Sequence, residues 1–158
     1  MIWKRQHDDA IAEFERAFAL NPNFIDHRFA IALIYAGEPA RAIEVLEANM
    51  RLDPFASPNH SYGVMGMANY TLKHYEEAVH WLRECALRLP HREVSRVWLA
   101  CAYAQLGKLE EAKKAAAEVL RINPGFTIES WKRLAVNKDP KDAEHRLDGA
   151  RKAGLPES

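Results

Sequence analysis

The sequence predicts an all-α fold: a right-handed α-α superhelix built from antiparallel helical hairpins. Ala10, Ala42, Ala78 and Ala112 follow one another at intervals of 32, 36 and 34 residues, a period typical of stacked helical repeats. Each alanine has a proline twelve residues later, at Pro22, Pro54, Pro90 and Pro124. Between them, apolar residues recur at helical spacing: Ala10, Phe14, Ala17 and Phe18; Ala42, Leu46 and Asn49; Ala78, Leu82 and Cys85.

Each unit reads physically from these marks. The alanine starts the buried stripe of a second helix and lets its neighbour approach closely. The proline ends that helix, because it has no amide donor and pushes the residue before it out of the helical region. A first helix precedes each alanine, at about residues 24–36, 58–72 and 93–106. Gly37 and Gly107 stand five residues before their alanines, where a left-handed turn between the two helices favours glycine. Lys73 takes that place in the third unit. The uneven spacing places a slip in the loop near residues 55–58. The first unit lacks most of its first helix.

After Pro124 the pattern changes. Thr127 is a plausible N-cap for a helix through Trp131 and Leu134. Asp139-Pro140 starts another, with Ala143, Leu147 and Ala150 as its apolar stripe and Gly154 as its end. The expected organisation is an array over 1–124, with a partial first repeat and three repeats at about 23–56, 57–91 and 92–125. A hairpin over 126–158 then caps the open end of the stack, a device that repeat arrays use for solubility.

Composition sets the class. The chain has 158 residues, 48% hydrophobic and 28% charged, enough apolar content for a core. Lys plus Arg and Asp plus Glu each total 22. That balance argues against nucleic acid or an anionic membrane as partner, since both call for a basic surface. The two cysteines, Cys85 and Cys101, fall within helical patterns and read as buried free thiols. No apolar run approaches a membrane span, and the first residues have no signal-peptide pattern, so the expected location is the cytoplasm and no membrane insertion is expected.

The chain resembles the tetratricopeptide repeat family through Tyr62, Met65-Gly66, Ala78, Leu82, Cys85 and Pro90 in the third unit, and Leu99-Ala100, Tyr103, Gly107, Ala112 and Pro124 in the fourth. The resemblance covers roughly residues 6–124 and implies a protein-interaction scaffold with a concave, peptide-binding groove lined by the first helices. In that register the groove residues are His27, Arg28, Ile31 and Tyr35, then His60, Val64, Met67, Tyr70 and Thr71, then Val97, Trp98, Cys101 and Gln105. Val64, Val97 and Cys101 read equally well as packing between helices. Arg28, His60, Tyr70, Trp98 and Gln105 are expected to face solvent, and Tyr, Trp and Arg are favoured anchor types at interfaces. The family's chaperone-binding subgroup uses a basic, Asn-rich clamp. His27, Ile31 and Val64 stand at clamp positions here, so an apolar, less acidic segment is the implied ligand. The tail, Pro-Gly-Phe-Thr-Ile-Glu-Ser-Trp followed by Asp-Gly-Ala-Arg-Lys-Ala-Gly-Leu-Pro-Glu, resembles the end of bacterial class III adenylate/guanylate cyclases that carry such repeats. This implies a regulatory or accessory role beside a signalling enzyme. No residue of a cyclase site has a counterpart here.

Catalytic patterns are missing from the sequence. There is no His-Glu-x-x-His, phosphate-binding glycine loop, Gly-x-Ser-x-Gly elbow or Cys-x-x-Cys. Asp8-Asp9 and Glu110-Glu111 suit the first turns of helices better than a catalytic pair. The expectation is a non-enzyme with no cofactor and no metal, bound to a protein or peptide partner. A second reading is a homodimer through the N-terminal end, where Ile2, Trp3, Ile11, Phe14, Phe18 and Leu20 lack a full partner helix and leave an apolar surface.

Overall fold

The computed structural model describes residues 2–23, 26–55 and 59–158. The described residues form nine helices and no strand. They are α1 (Ile2–Leu20), α2 (His27–Tyr35), α3 (Pro39–Leu52), α4 (Asn59–Thr71), α5 (Tyr75–Arg88), α6 (Glu93–Gln105), α7 (Leu109–Ile122), α8 (Ile128–Leu134) and α9 (Pro140–Lys152). The expected starts at residues 24 and 58, and most of the slip near 55–58, lie outside the described residues, as do the side chains of Ile2 and Trp3.

The punctuation read from the sequence falls where physical chemistry puts it. Helices α1, α3, α5 and α7 end at Leu20, Leu52, Arg88 and Ile122, each two residues before its proline. Ala42, Ala78 and Ala112 are completely buried, so any added side-chain volume there meets a neighbouring helix. The three inner turns share one hydrogen-bonded pattern. Gly37 N–H donates to Ile34 O and Glu38 N–H to Leu33 O; Lys73 and His74 do the same to Tyr70 and Asn69, and Gly107 and Lys108 to Ala104 and Tyr103. This turn needs a left-handed residue. Gly37 and Gly107 supply it at φ 87° and 75°, and Lys73 adopts it at φ 63° with a Cβ attached. The left-handed conformation costs a residue with a Cβ roughly 1–2 kcal/mol. Lys73→Gly is therefore expected to raise the unfolding free energy by about 1 kcal/mol, read by urea denaturation. An unchanged or lower midpoint would show that the Lys73 side chain contributes more than the strain costs.

Packing orders the array. Each first helix packs on the next first helix, α2 on α4 and α4 on α6, while α3, α5 and α7 pack on first helices. The row α2–α4–α6 is therefore the inner face of an all-α helical-repeat superhelix. The N-terminal helix α1 packs on α2, with Ile11 buried and the Phe14 ring stacked on Phe29 at 5.4 Å. Ile11 was expected to face outward and does not; Phe18 and Leu20 do.

The tail departs from the expected cap. Thr127 caps α8 and Asp139 caps α9, each accepting from a backbone N–H of the first turn. Helix α9, however, packs on α6 and α4 beside α8. It turns into the inner face, where its own apolar stripe, Leu147, Ala150 and Ala153, finds a buried surface.

Candidate functional site: a half-filled inner groove

The inner face is divided in two. Its half at the C-terminal ends of the first helices holds α9. Tyr70 Oη donates to the His145 carbonyl at 2.8 Å, and Gln105 Nε2 donates to Tyr70 Oη at 3.1 Å. Lys152 Nζ donates to Gln105 Oε1 at 3.1 Å. The His145 ring stacks on Tyr70 at 4.6 Å, and its Nε2 lies 2.8 Å from Tyr75 Oη. Gly149 makes the close approach: a Cβ there would stand 2.9 Å from Cys101 Cβ and overlap the Tyr70 hydroxyl. Burial raises the Tyr70 phenol and Cys101 thiol pKa values, and burial lowers that of His145. Burial thus favours the neutral form of all three, Tyr70 and Cys101 beneath α9 and His145 on it.

Two expected groove residues must be corrected on this ground. Tyr70 and Trp98, expected in solvent, are 0% and 2% exposed. Tyr70 is covered by α9. Trp98 is held edge-on between Tyr70 and Trp131 of α8, both at 5.3 Å. Gln105 is partly buried and bonded to α4 and α9 rather than free.

The other half is an open cleft of about 230 Å³ between the N-terminal parts of α2, α4 and α6. His27, Ile31, Tyr35, His60, Val64, Met67 and Trp98 line it, with Ala135 from the segment after α8. The His27 and His60 rings stack nearly parallel at 5.3 Å, and the Arg92 guanidinium contacts His60 Nδ1. Burial, then the charges of Arg92 and His27, lowers the His60 pKa. Among the described residues no Asp or Glu side chain lines the cleft, so its character is apolar with a guanidinium at its rim. The Trp98 Nε1–H, at its wall, has no hydrogen-bond partner among the described residues.

The remaining expected groove residues are elsewhere. Arg28 is exposed but clamped to Asp26, whose carboxylate it holds below the usual range. Thr71 Oγ1 donates back to Met67 O at 2.9 Å. Val97 is buried within the array. The cleft also uses Arg92, Val94 and Ser95, which sequence reasoning missed. The repeat spacing of 34 residues that maps Val64 onto Trp98 also maps His60 onto Val94, so the signal was present. Among the described residues no three His, Cys, Asp or Glu side chains are placed to hold a metal, and no helix is long and apolar enough to cross a membrane.

Comparison with known families decides the nature of the units. Tetratricopeptide repeat models match residues 60–88 and 96–126. Those two hairpins are tetratricopeptide repeats. A curated relative, the TPR repeat-containing protein YpiA of Bacillus subtilis (strain 168), is 29% identical over 150 residues, 90% of this chain. The chain spans about a third of that relative's length (34%). Solved structures of MamA share the fold. One has a TM-score of 0.66 at 20% identity, covering 95% of this chain and 88% of the other. MamA 41-end from Desulfovibrio magneticus RS-1 gives 0.64 at 20%, with 94% and 80% covered.

Proposed function

We propose that the tetratricopeptide array binds a short peptide or protein segment in the open half of its groove, through an apolar side chain inserted between α2, α4 and α6. The observation that carries this reading is the cleft itself: apolar walls, a stacked histidine pair at its mouth and, among the described residues, no carboxylate. A neutral, apolar segment suits it, and a basic one would meet the Arg92 guanidinium. The resemblance of the tail to cyclase-appended arrays supports a setting in which that segment belongs to a signalling enzyme or to its regulator.

The test uses peptides selected by phage display on the full chain. Ile31→Glu and Val94→Glu, both on the accessible wall, are expected to weaken selected peptides at least about tenfold. Leu134→Glu, exposed on α8, is expected to leave them unchanged. Selected peptides indifferent to both cleft substitutions would overturn the reading.

A second reading is self-association at the N-terminal end. Phe18 and Leu52, 43% and 52% exposed, line a shallow depression of about 400 Å³ between α1 and α3. If this surface pairs two copies, sedimentation shows a concentration-dependent dimer that Phe18→Glu abolishes; a strict monomer at high concentration removes the reading.

A further inference from the structure

Helix α9 fits its seat in shape and mismatches it in charge. The fit comes from Gly149, which lets α9 lie directly on Tyr70 and Cys101, and from the fully buried Ala150. The mismatch is Arg146. This side chain is 2% exposed, yet no carboxylate pairs with it among the described residues. Its Nη2 donates to Ala135 O at 3.1 Å, and its guanidinium lies over the rings of Trp131 at 4.4 Å and Tyr35 at 5.7 Å. Nε and Nη1 have no hydrogen-bond partner among the described residues. The ring contacts offset part of the cost of taking a guanidinium out of water, but two unsatisfied donors on a buried cation remain unfavourable. An apolar side chain of similar length would occupy the same space without that cost.

We propose that α9 is a displaceable occupant of the groove, and that the partner competing for its seat is an amphipathic helix. That helix carries small residues where α9 has Gly149 and Ala150, and an uncharged apolar side chain where α9 has Arg146. The proposal rests on the reading of the inner face as a binding surface, and concerns the half that α9 covers. Tyr70 and Cys101 are sealed beneath it, with Gln105 partly covered. Displacement of α9 exposes them together.

The experiment uses the full chain with Cys85→Ala, so that Cys101 is the single thiol. Cys101 is completely buried, with α9 passing over it, and its modification by a thiol reagent under native conditions reports the opening of α9. The probe is a synthetic peptide of residues 138–156 with Arg146→Met, titrated by fluorescence anisotropy. In the chain, Arg146→Met is expected to slow Cys101 modification and weaken peptide binding, each by about tenfold, because the groove is then less often vacant. Gly149→Leu, which forces α9 off Tyr70, is expected to do the reverse. Tyr70→Phe, which removes the bond to His145, is expected to speed Cys101 modification with little demand on the fold. Faster Cys101 modification in Arg146→Met would overturn the proposal, since Arg146 would then be an anchor. Equal peptide affinity for Arg146→Met, the parent chain and Gly149→Leu would also overturn it. Cys101 protection reports on α9 alone, so this outcome is separate from whether cleft-selected peptides bind.

Discussion

Replacing Trp98 with alanine lowers the unfolding free energy by about 3–5 kcal/mol, the range for removing a buried large aromatic. Trp98 is the point where four parts of the molecule meet. It belongs to α6, touches Tyr70 of α4 and Trp131 of α8 edge-on, and forms a wall of the open cleft. Each edge-on ring pair adds to the loss beyond area alone. The Nε1–H contributes nothing in compensation, because it is buried without a partner. Trp98→Phe keeps a ring and removes that orphaned donor, so it costs much less than Trp98→Ala. Thermal and urea unfolding of both variants checks this; equal losses for Ala and Phe would show that the ring contacts are not the source of the stability.

The second large effect lies between α4 and α5. Leu82 is completely buried and packs onto Gly66, where a Cβ would fall 2.7 Å from Leu82 Cδ2 and closer still to Cγ. Leu82→Ala is expected to cost about 2–5 kcal/mol through the cavity it leaves. Gly66→Ala gains about 1 kcal/mol of helix propensity, but the methyl collides with the branch point of Leu82 rather than with a flexible chain end. Overpacking of this kind costs about 1–3 kcal/mol. The pair Gly66→Ala with Leu82→Ala is expected to be less destabilised than the sum of the singles, because the new methyl enters the vacated space. Strict additivity in a double-mutant cycle would show that α4 and α5 relax apart instead.

The array was legible in the sequence because its signals are local. A proline stops a helix wherever it stands, and an alanine at a fixed offset marks a close helix contact, so the three full hairpins could be placed before any coordinates. Lys73 also stood out as a departure, and the left-handed turn at that position explains why. The seat of α9 was not legible. It depends on Tyr70 meeting the carbonyl of His145, 75 residues away, and on a glycine whose purpose is visible only beside Tyr70 and Cys101. Nothing in the stripe Ala143, Leu147, Ala150 distinguishes a helix that covers the end of a stack from one that turns into its groove. The exposure of Tyr70 and Trp98 was misjudged for the same reason: the register places them on the inner face, and only the tail decides whether that face meets water.

The segment leading into α9 has a consequence for how the molecule comes apart. Lys138 donates its backbone N–H to Tyr35 O at 2.7 Å and pairs through Nζ with Asp8 of α1, 130 residues earlier, at 2.6 Å. A stack of repeats with free ends frays unit by unit, because each unit feels only its neighbours. Here the tail reaches back to the first helices and closes the stack on itself like a buckled strap. Closure of so long a loop carries a large entropic cost and belongs late in folding. Once it is made, α2, α4 and α6 are bridged by one tail and cannot separate independently, so they are expected to melt in one sharp transition where an unbuckled array of the same hairpins would melt in steps.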